Sequence, residues 1–314
     1  MYLLALAQPD RYSLSTWVND SPVEVTQPNG KPWRPKNSDG KSHGTVTVTT
    51  ALARSYNQAT VRVGMEVGPD RLAELMKVLG GLSAKPNPSL ILGSVDLSVF
   101  SMAQMYQFLA SGGRIPPLRA VRGVLDTQGK AISRYDNKAE PAQEGDAIAA
   151  RLVTLALQSA VTNGTASPLL RDGLGSLQSA GKTGTSNDSR DSWFAGYTGD
   201  HLAVVWVGND KNEPTGLYGA TGAMRVWSGL FTKLPTEPLK VTGQGIEWAW
   251  LDGASYATTE ADCPGARRAA FVSGYLPTEH KTCQQSSWLD WFHLGGDGEQ
   301  APTPEAPPAQ ENLQ

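Results

Sequence analysis

Cysteine is nearly missing, with only Cys263 and Cys283 among 314 residues. That excludes a disulfide scaffold and a four-cysteine zinc site, and leaves room for one late bridge. Histidine is almost as scarce. His43, His201, His280 and His293 are scattered, and even grouped with the two cysteines they match no common zinc spacing, so no metal and no cofactor is expected. Basic runs are missing too: 27 Lys and Arg stand against 30 Asp and Glu, a net charge of −3. The chain therefore lacks the electrostatic footprint that nucleic acid or anionic lipid would require. No apolar run is long enough to span a membrane. The opening Met1–Ala7 has no basic flank and soon meets Pro9-Asp10, so it reads as the second half of a buried helix rather than a signal peptide.

What is present fits an α/β protein rich in turns: 39% apolar residues, 18% charged, 33 Gly and 21 Pro, enough for a substantial core and incompatible with disorder throughout. Pro9–Lys41 is broken by Asn19-Asp20, Pro28-Asn29-Gly30 and Asp39-Gly40 around short pieces such as Val23–Val25, the pattern of a surface excursion. Residues 45–67 read as two helices with a break at Ser55-Tyr56-Asn57. Next comes a helix with Pro69 in its first turn, Leu72, Leu75, Met76 and Leu79 inward, and Gly80-Gly81 as the stop. Another starts at Ser98, points Val99, Met102, Ala103, Tyr106 and Leu109 inward, and ends at Gly112-Gly113. A third spans about 146–163, with Ile148, Leu152, Leu155 and Ser159 on one face.

The period then switches to strands, 177–186, 192–198 and 202–207, an antiparallel meander. The third is apolar almost throughout, which predicts burial on both faces and helices packed on each side of the sheet. Residues 219–231 read as helix, and 246–251 with a strand near 270–272 as a small strand-rich appendix. The last 20 residues, 295–314, are too poor in apolar side chains to order themselves.

Chemistry concentrates in two places. Lys182-Thr183-Gly184-Thr185 lies on the meander's first strand, where the two-residue period puts Thr183 and Thr185 on one side and Lys182 on the other. Two hydroxyls near a fixed ammonium suit a carboxylate, and Gly184 leaves space for another backbone to approach. Alone, such a tetrapeptide is weak. Upstream, Ser55 and Asn57 set a hydroxyl and an amide side by side at the helix break, and a Ser-x-Asn with a Lys-Thr-Gly is the pairing found in β-lactamases and penicillin-binding proteins.

Six blocks in order make the case broader. They are Arg54–Val61, Met102–Tyr106 running to Gly113, Gly181–Thr185, Asp191–Tyr197, Trp206-Val207-Gly208 and Tyr218–Met224. With these the chain to about Pro277 resembles the transpeptidase domain of class A penicillin-binding proteins, the bifunctional peptidoglycan synthases, and most closely their proteobacterial "one B" branch. The resemblance implies an α/β (α+β) fold, an antiparallel sheet sandwiched by helices, over residues 1–235, followed by the appendix at 236–294 and a disordered tail at 295–314. It implies a D,D-transpeptidase that cross-links peptide stems ending in D-Ala-D-Ala through a serine acyl-enzyme. Lys182 and Ser55 would relay the proton to the departing D-alanine, and Asn57 would orient the acyl amide. Thr183 and Thr185 would bind the terminal carboxylate beside Gly184, and the Thr185 N–H would supply half of an oxyanion hole. Implied partners are peptide stems, β-lactams, a glycosyltransferase domain of the parent chain, an outer-membrane lipoprotein activator and divisome proteins. The implied location is the periplasmic face of the bacterial inner membrane, an oxidising compartment in which Cys263 and Cys283 would pair.

One departure outweighs the matches. The family's acylated serine belongs to a Ser-x-x-Lys at the start of a central helix, expected a few residues before Met1. Ser38-Asp39-Gly40-Lys41 has the spacing, but Pro35, Asn37, Gly40 and Gly44 around it favour a turn, so Ser38 is read as a decoy. The favoured expectation is a truncated transpeptidase; a non-catalytic relative that binds stems or partners, and a carboxypeptidase or β-lactamase-type hydrolase, are the alternatives. Asp188, Arg190 and Asp191 read as an ordinary charged turn beside the Lys-Thr-Gly strand. Trp248, Trp250, Trp288 and Trp291 read as packing residues rather than a carbohydrate platform.

Overall fold

A computed structural model describes residues 1–115, 117–134, 140–141 and 144–283. Trp288, Trp291, His293 and the 295–314 tail lie outside the described residues. The helices are α1 (Tyr2–Leu6), α2 (Val48–Arg54), α3 (Asn57–Val67), α4 (Pro69–Gly80), α5 (Val99–Ala110), α6 (Glu144–Asn163), α7 (Pro168–Arg171) and α8 (Ala223–Phe231). None among the described residues is long and apolar enough to cross a membrane.

Their ends follow local chemistry. The Thr47 hydroxyl accepts from the Thr50 N–H to start α2, and the Ser98 hydroxyl accepts from Ser101 N–H to start α5. Gly81 closes α4 in the left-handed conformation at φ 64°. α1 is buried, as its composition predicts. On α5, Phe108 is the residue fully packed away, whereas Val99, expected inward, stands exposed in the first turn.

α6 departs further from its expected single apolar face. Ala149, Ala150, Leu152, Val153, Ala156, Leu157, Ala160 and Val161 are all buried, so neighbours surround the helix on most sides. Its alanines let α2 come close, and a Cβ on Gly164 just beyond it would collide with the Ala53 carbonyl.

The meander forms as predicted: Ala180–Thr185, Ser192–Tyr197 and Leu202–Val207 make an antiparallel three-stranded sheet with Ser192–Tyr197 in the middle. α8 covers one face, stacking Trp227 on Phe231 and setting it edge-on to Phe194. The other face meets α5 and α6, where the Tyr197 hydroxyl is 2.8 Å from that of Thr154. The third strand corrects its prediction. It pairs on one side only among the described residues and leaves Trp206 40% exposed, while the middle strand carries the burial. An apolar six-residue run reports hydrophobicity, not position within a sheet.

A second correction concerns the stretch read as a surface excursion. Trp17–Asp20 pairs antiparallel with Gly44–Thr47, and Val25–Thr26 with Pro32–Trp33. Asp20 is fully buried and Asn37 nearly so. In the appendix, Ile246–Leu251 pairs with Arg267–Val272. Cys263 and Cys283 form a disulfide with Cα atoms 5.6 Å apart, which consumes both thiols and removes the zinc alternative. Residues of this strand pair, Ile246, Ala270 and Val272, pack into the same core as α1, α2 and α6.

Candidate functional site

Lys182 leaves the Ala180–Thr185 strand toward the α5 and α6 side of the sheet and reaches the end of α2. Its Nζ donates to Ser55 Oγ at 2.9 Å and to the Thr183 carbonyl at 2.8 Å. It also lines an apolar cavity of about 210 Å³ with Tyr106, Leu109 and Leu157. Burial lowers its pKa to about 8, so the amine changes charge far closer to neutrality than an exposed lysine does. Ser55 is presented by a strained backbone: as the C-cap of α2 it adopts φ 59° and ψ 44°, a left-handed conformation uncommon for serine.

Thr183 and Thr185 point to the opposite side, as the strand period predicts. The Thr183 hydroxyl is 2.8 Å from that of Thr165, which follows α6. The exposed Thr185 accepts at its hydroxyl from the Gly219 N–H at 3.0 Å. Gly184 does not admit a backbone as expected, since a Cβ there would meet only the Trp193 side chain, 3.2 Å from its Cβ; the glycine that a close approach requires is Gly219, where an added Cβ would lie 2.7 Å from the Gly184 carbonyl oxygen and 2.9 Å from its nitrogen. On the rim, Arg190 pairs with Asp188 at 3.2 Å, and the Trp206 indole donates to Asp191 at 2.9 Å, so this turn is tied into the sheet.

Asn57 is held differently from its neighbours. Its side-chain amide donates to the Lys36 carbonyl at 2.7 Å, and its backbone N–H donates to Asn37 Oδ1 at 2.7 Å. Around it lies a polar cluster that motif reading missed. Asp20 Oδ1 accepts from the Ala59 N–H at 3.0 Å, and Asp20 Oδ2 accepts from the Asn37 amide at 2.6 Å. His43 Nδ1 lies 2.9 Å from Asp20 Oδ2, and its ring stacks on Tyr56 at 3.9 Å. Together Asn37 and Asp20 satisfy the free N–H groups at the start of α3, the task a local capping side chain usually performs. The signal available in sequence was the Thr45–Thr47 alternation, which pairs with Trp17–Asp20 and carries Asp20 inward.

Neither Ser-x-x-Lys of the chain makes a nucleophile pair. Ser38 is exposed in a turn, as expected. A second instance, Ser179-Ala180-Gly181-Lys182, went unread in the sequence. It runs into a strand, where side chains three apart point to opposite faces, and the Ser179 hydroxyl is buried without a partner among the described residues. The structure thus brings together Lys182 and Ser55 directly, places Thr183 and Thr185 across the strand, and ties the Asn57 amide to the Lys36 carbonyl.

Comparison with known proteins gives the family and the fold. Residues 11–223 match the family described as penicillin binding protein transpeptidase domain. Penicillin-binding protein 1B of Vibrio cholerae is 41% identical over 230 residues, covering 73% of this chain and 29% of that protein. Its Escherichia coli counterpart is 39% identical over 244 residues, covering 76% and 29%. The chain thus spans under a third of the length of these relatives. Among solved structures, Haemophilus influenzae penicillin-binding protein 1A superposes with a TM-score of 0.77 at 23% identity, over 89% of this chain and 47% of that one. At that identity the likeness concerns the fold.

Proposed function

The chain belongs to the penicillin-binding protein transpeptidase family, and from that premise we propose that it carries the substrate-carboxylate and proton-relay residues of a peptidoglycan D,D-transpeptidase. The carrying observation is the Lys182 Nζ to Ser55 Oγ bond of 2.9 Å, made at the strand that also bears Thr183 and Thr185. In the reaction a serine hydroxyl attacks the penultimate D-Ala carbonyl of a donor stem. The bond to the terminal D-alanine breaks, and its nitrogen takes a proton before leaving. An amine of a neighbouring stem then displaces the serine ester and forms the cross-link.

Ser55 would pass the proton to the leaving nitrogen, and Lys182 would hold that hydroxyl in place and restore its proton. Thr183 and Thr185 would bind the stem's terminal carboxylate, with Gly184 keeping the strand open to it. Asn57 would orient the acyl amide. Ala180–Thr185 pairs with only one strand among the described residues, so its outer edge can receive an extended peptide as an added strand. β-Lactams would enter the same place as stem mimics. The acylated serine is not one of this chain's residues, because neither Ser-x-x-Lys places its serine on a helix beside the lysine. A division near residue 235, a periplasmic location, and the glycosyltransferase, lipoprotein and divisome partners belong to the same reading.

The test is incubation with labelled penicillin, read by intact mass and by equilibrium binding. The chain should form no covalent adduct, yet bind non-covalently, and Lys182→Ala should weaken that binding by about tenfold or more, the scale of a lost charge-assisted hydrogen bond. An adduct mapped to a serine of this chain, or unchanged binding by Lys182→Ala, overturns the assignment.

A further inference from the structure

A hairpin after α5 leaves its apolar side chains uncovered. Arg114–Ile115 pairs with Glu140–Pro141 as its neck, the Leu118 N–H donates to Gln104 Oε1 at 2.7 Å to tie its base to α5, and beyond that Gly123–Leu125 pairs with Ala131–Arg134. No third strand joins this pair among the described residues. Two strands alone are marginally stable in water, and ordinarily they lay an apolar face on a core. Here Val121, Val124, Leu125 and Ile132 are all between 42% and 68% exposed. The register skips Ile132, and such a bulge bends the strand that carries it, so the straighter free edge is that of Gly123–Leu125.

The hairpin is also basic, in a chain whose net charge is −3. Arg119, Arg122, Lys130 and Arg134 are exposed and make no ion pair among the described residues. Its single acid, Asp126, is engaged within the turn, where Oδ1 accepts from the Gln128 and Lys130 N–H groups at 2.9 and 2.8 Å.

These features discriminate between occupants. A lipid surface would need apolar side chains at the tip, but the tip is Asp126-Thr127-Gln128-Gly129-Lys130. A second copy would bring the same four cations against them. The 295–314 tail is acidic, yet Pro302, Pro304, Pro307 and Pro308 lack the N–H groups that a strand donates. Val124 and Leu125 are consecutive, so apolar surface is open on both faces of the pair. A helix or a flat surface covers one face; a strand added at the edge sends side chains to both.

We infer that this hairpin docks an acidic segment of another protein as a third strand along Gly123–Leu125. The main chain of the segment pairs with the free edge, its apolar side chains cover those of the hairpin, and its carboxylates meet the arginines. The inference does not depend on the Lys182 site.

The full chain is titrated with the capped peptide Val-Val-Glu-Glu-Val-Val-Glu-Glu, which puts both residue types on both faces of a strand. Two control peptides accompany it, one with lysine in place of glutamate and one N-methylated at alternate residues. The glutamate peptide should bind, weaken as salt rises, and slow hydrogen exchange at Gly123–Leu125. Each control should bind at least about tenfold more weakly. Arg122→Glu should cost about tenfold in affinity, and so should Leu125→Thr, which keeps strand propensity while removing the apolar side chain. Lys182→Ala should leave binding unchanged, whereas failure of the transpeptidase reading shows separately, as penicillin binding that ignores Lys182. No binding, equal binding of the glutamate and lysine peptides, or indifference to N-methylation or to either hairpin variant overturns the proposal. Retention on phosphatidylglycerol vesicles that Leu125→Thr abolishes would replace it with a lipid contact. Slow exchange at Gly123–Leu125 in the free chain refutes it too, pointing to the tail if independent of protein concentration and to a second copy if it grows with concentration.

Discussion

Lys182 is a lysine whose titration can be seen in function. Burial holds its pKa at about 8, below the ordinary 10.5, so the amine is charged up to about pH 8 and neutral well above it. A carboxylate ligand that needs the ammonium should therefore bind fully below pH 8 and progressively less as pH rises through it, and Lys182→Gln should flatten the profile. The linked effect on stability runs the other way. Between about 8 and 10.5 the unfolded chain binds the proton that the folded chain has released, so folding stability rises with pH across that window. Equilibrium binding from pH 6 to 10 decides; a flat profile for the native chain would dissociate Lys182 from the ligand. Asn37 offers a second single-residue test. Asn37→Ala would strip a buried carboxylate and the first N–H groups of α3 of their partner, at a cost of about 1–3 kcal/mol. Denaturant unfolding should show that loss, while an exposed turn residue such as Ser38→Ala should show almost none.

Elements meet at this site through glycine, and the substitution cost depends on what each glycine faces. Gly219 lies against the Lys-Thr-Gly strand so closely that a Cβ would sit 2.7 Å from two carbonyl oxygens, those of Gly184 and Trp193. Gly219→Ala must push the loop before α8 off the strand and lengthen the bond from its N–H to Thr185. We expect a loss of about 1–3 kcal/mol in stability, the scale of overpacking, together with weaker penicillin binding. Gly229, inside α8, is the control: nothing lies within 4 Å of an added Cβ, so Gly229→Ala should stabilise by about 0.5–1 kcal/mol through helix propensity. Thermal and denaturant melts of the two variants should move in opposite directions. A neutral Gly219→Ala would mean that the loop adapts and that the close approach does not hold Thr185.

At the scale of the molecule, what could be read early was whatever local chemistry writes: Ser98 capping α5, Gly81 ending α4, the helix break at Ser55, and the face alternation of Lys182 and Thr183. The clamp on α3 was not legible, because Asp20, Asn37 and His43 meet Tyr56, Asn57 and Ala59 across 13 to 39 residues with no period linking them. The edge position of Leu202–Val207 was hidden for a similar reason, since burial of a strand depends on its neighbours. The appendix raises the same question of what depends on what. Its strands share a core with α1, α2 and α6 through Ala270, and the Tyr256 hydroxyl bonds that of Ser13 at 2.6 Å. Its disulfide closes a separation of 20 residues, a constraint on the unfolded chain of about 3 kcal/mol. If the shared core makes the described body one cooperative unit, that loss is spread over the whole transition. Replacing both cysteines with serine should then lower a single Tm by roughly 6–12 °C. Calorimetry separates the alternatives: a first, small transition lost or shifted alone, with the main one unmoved, would show that the segment after residue 235 melts by itself and that its contacts with α6 do not couple it to the site.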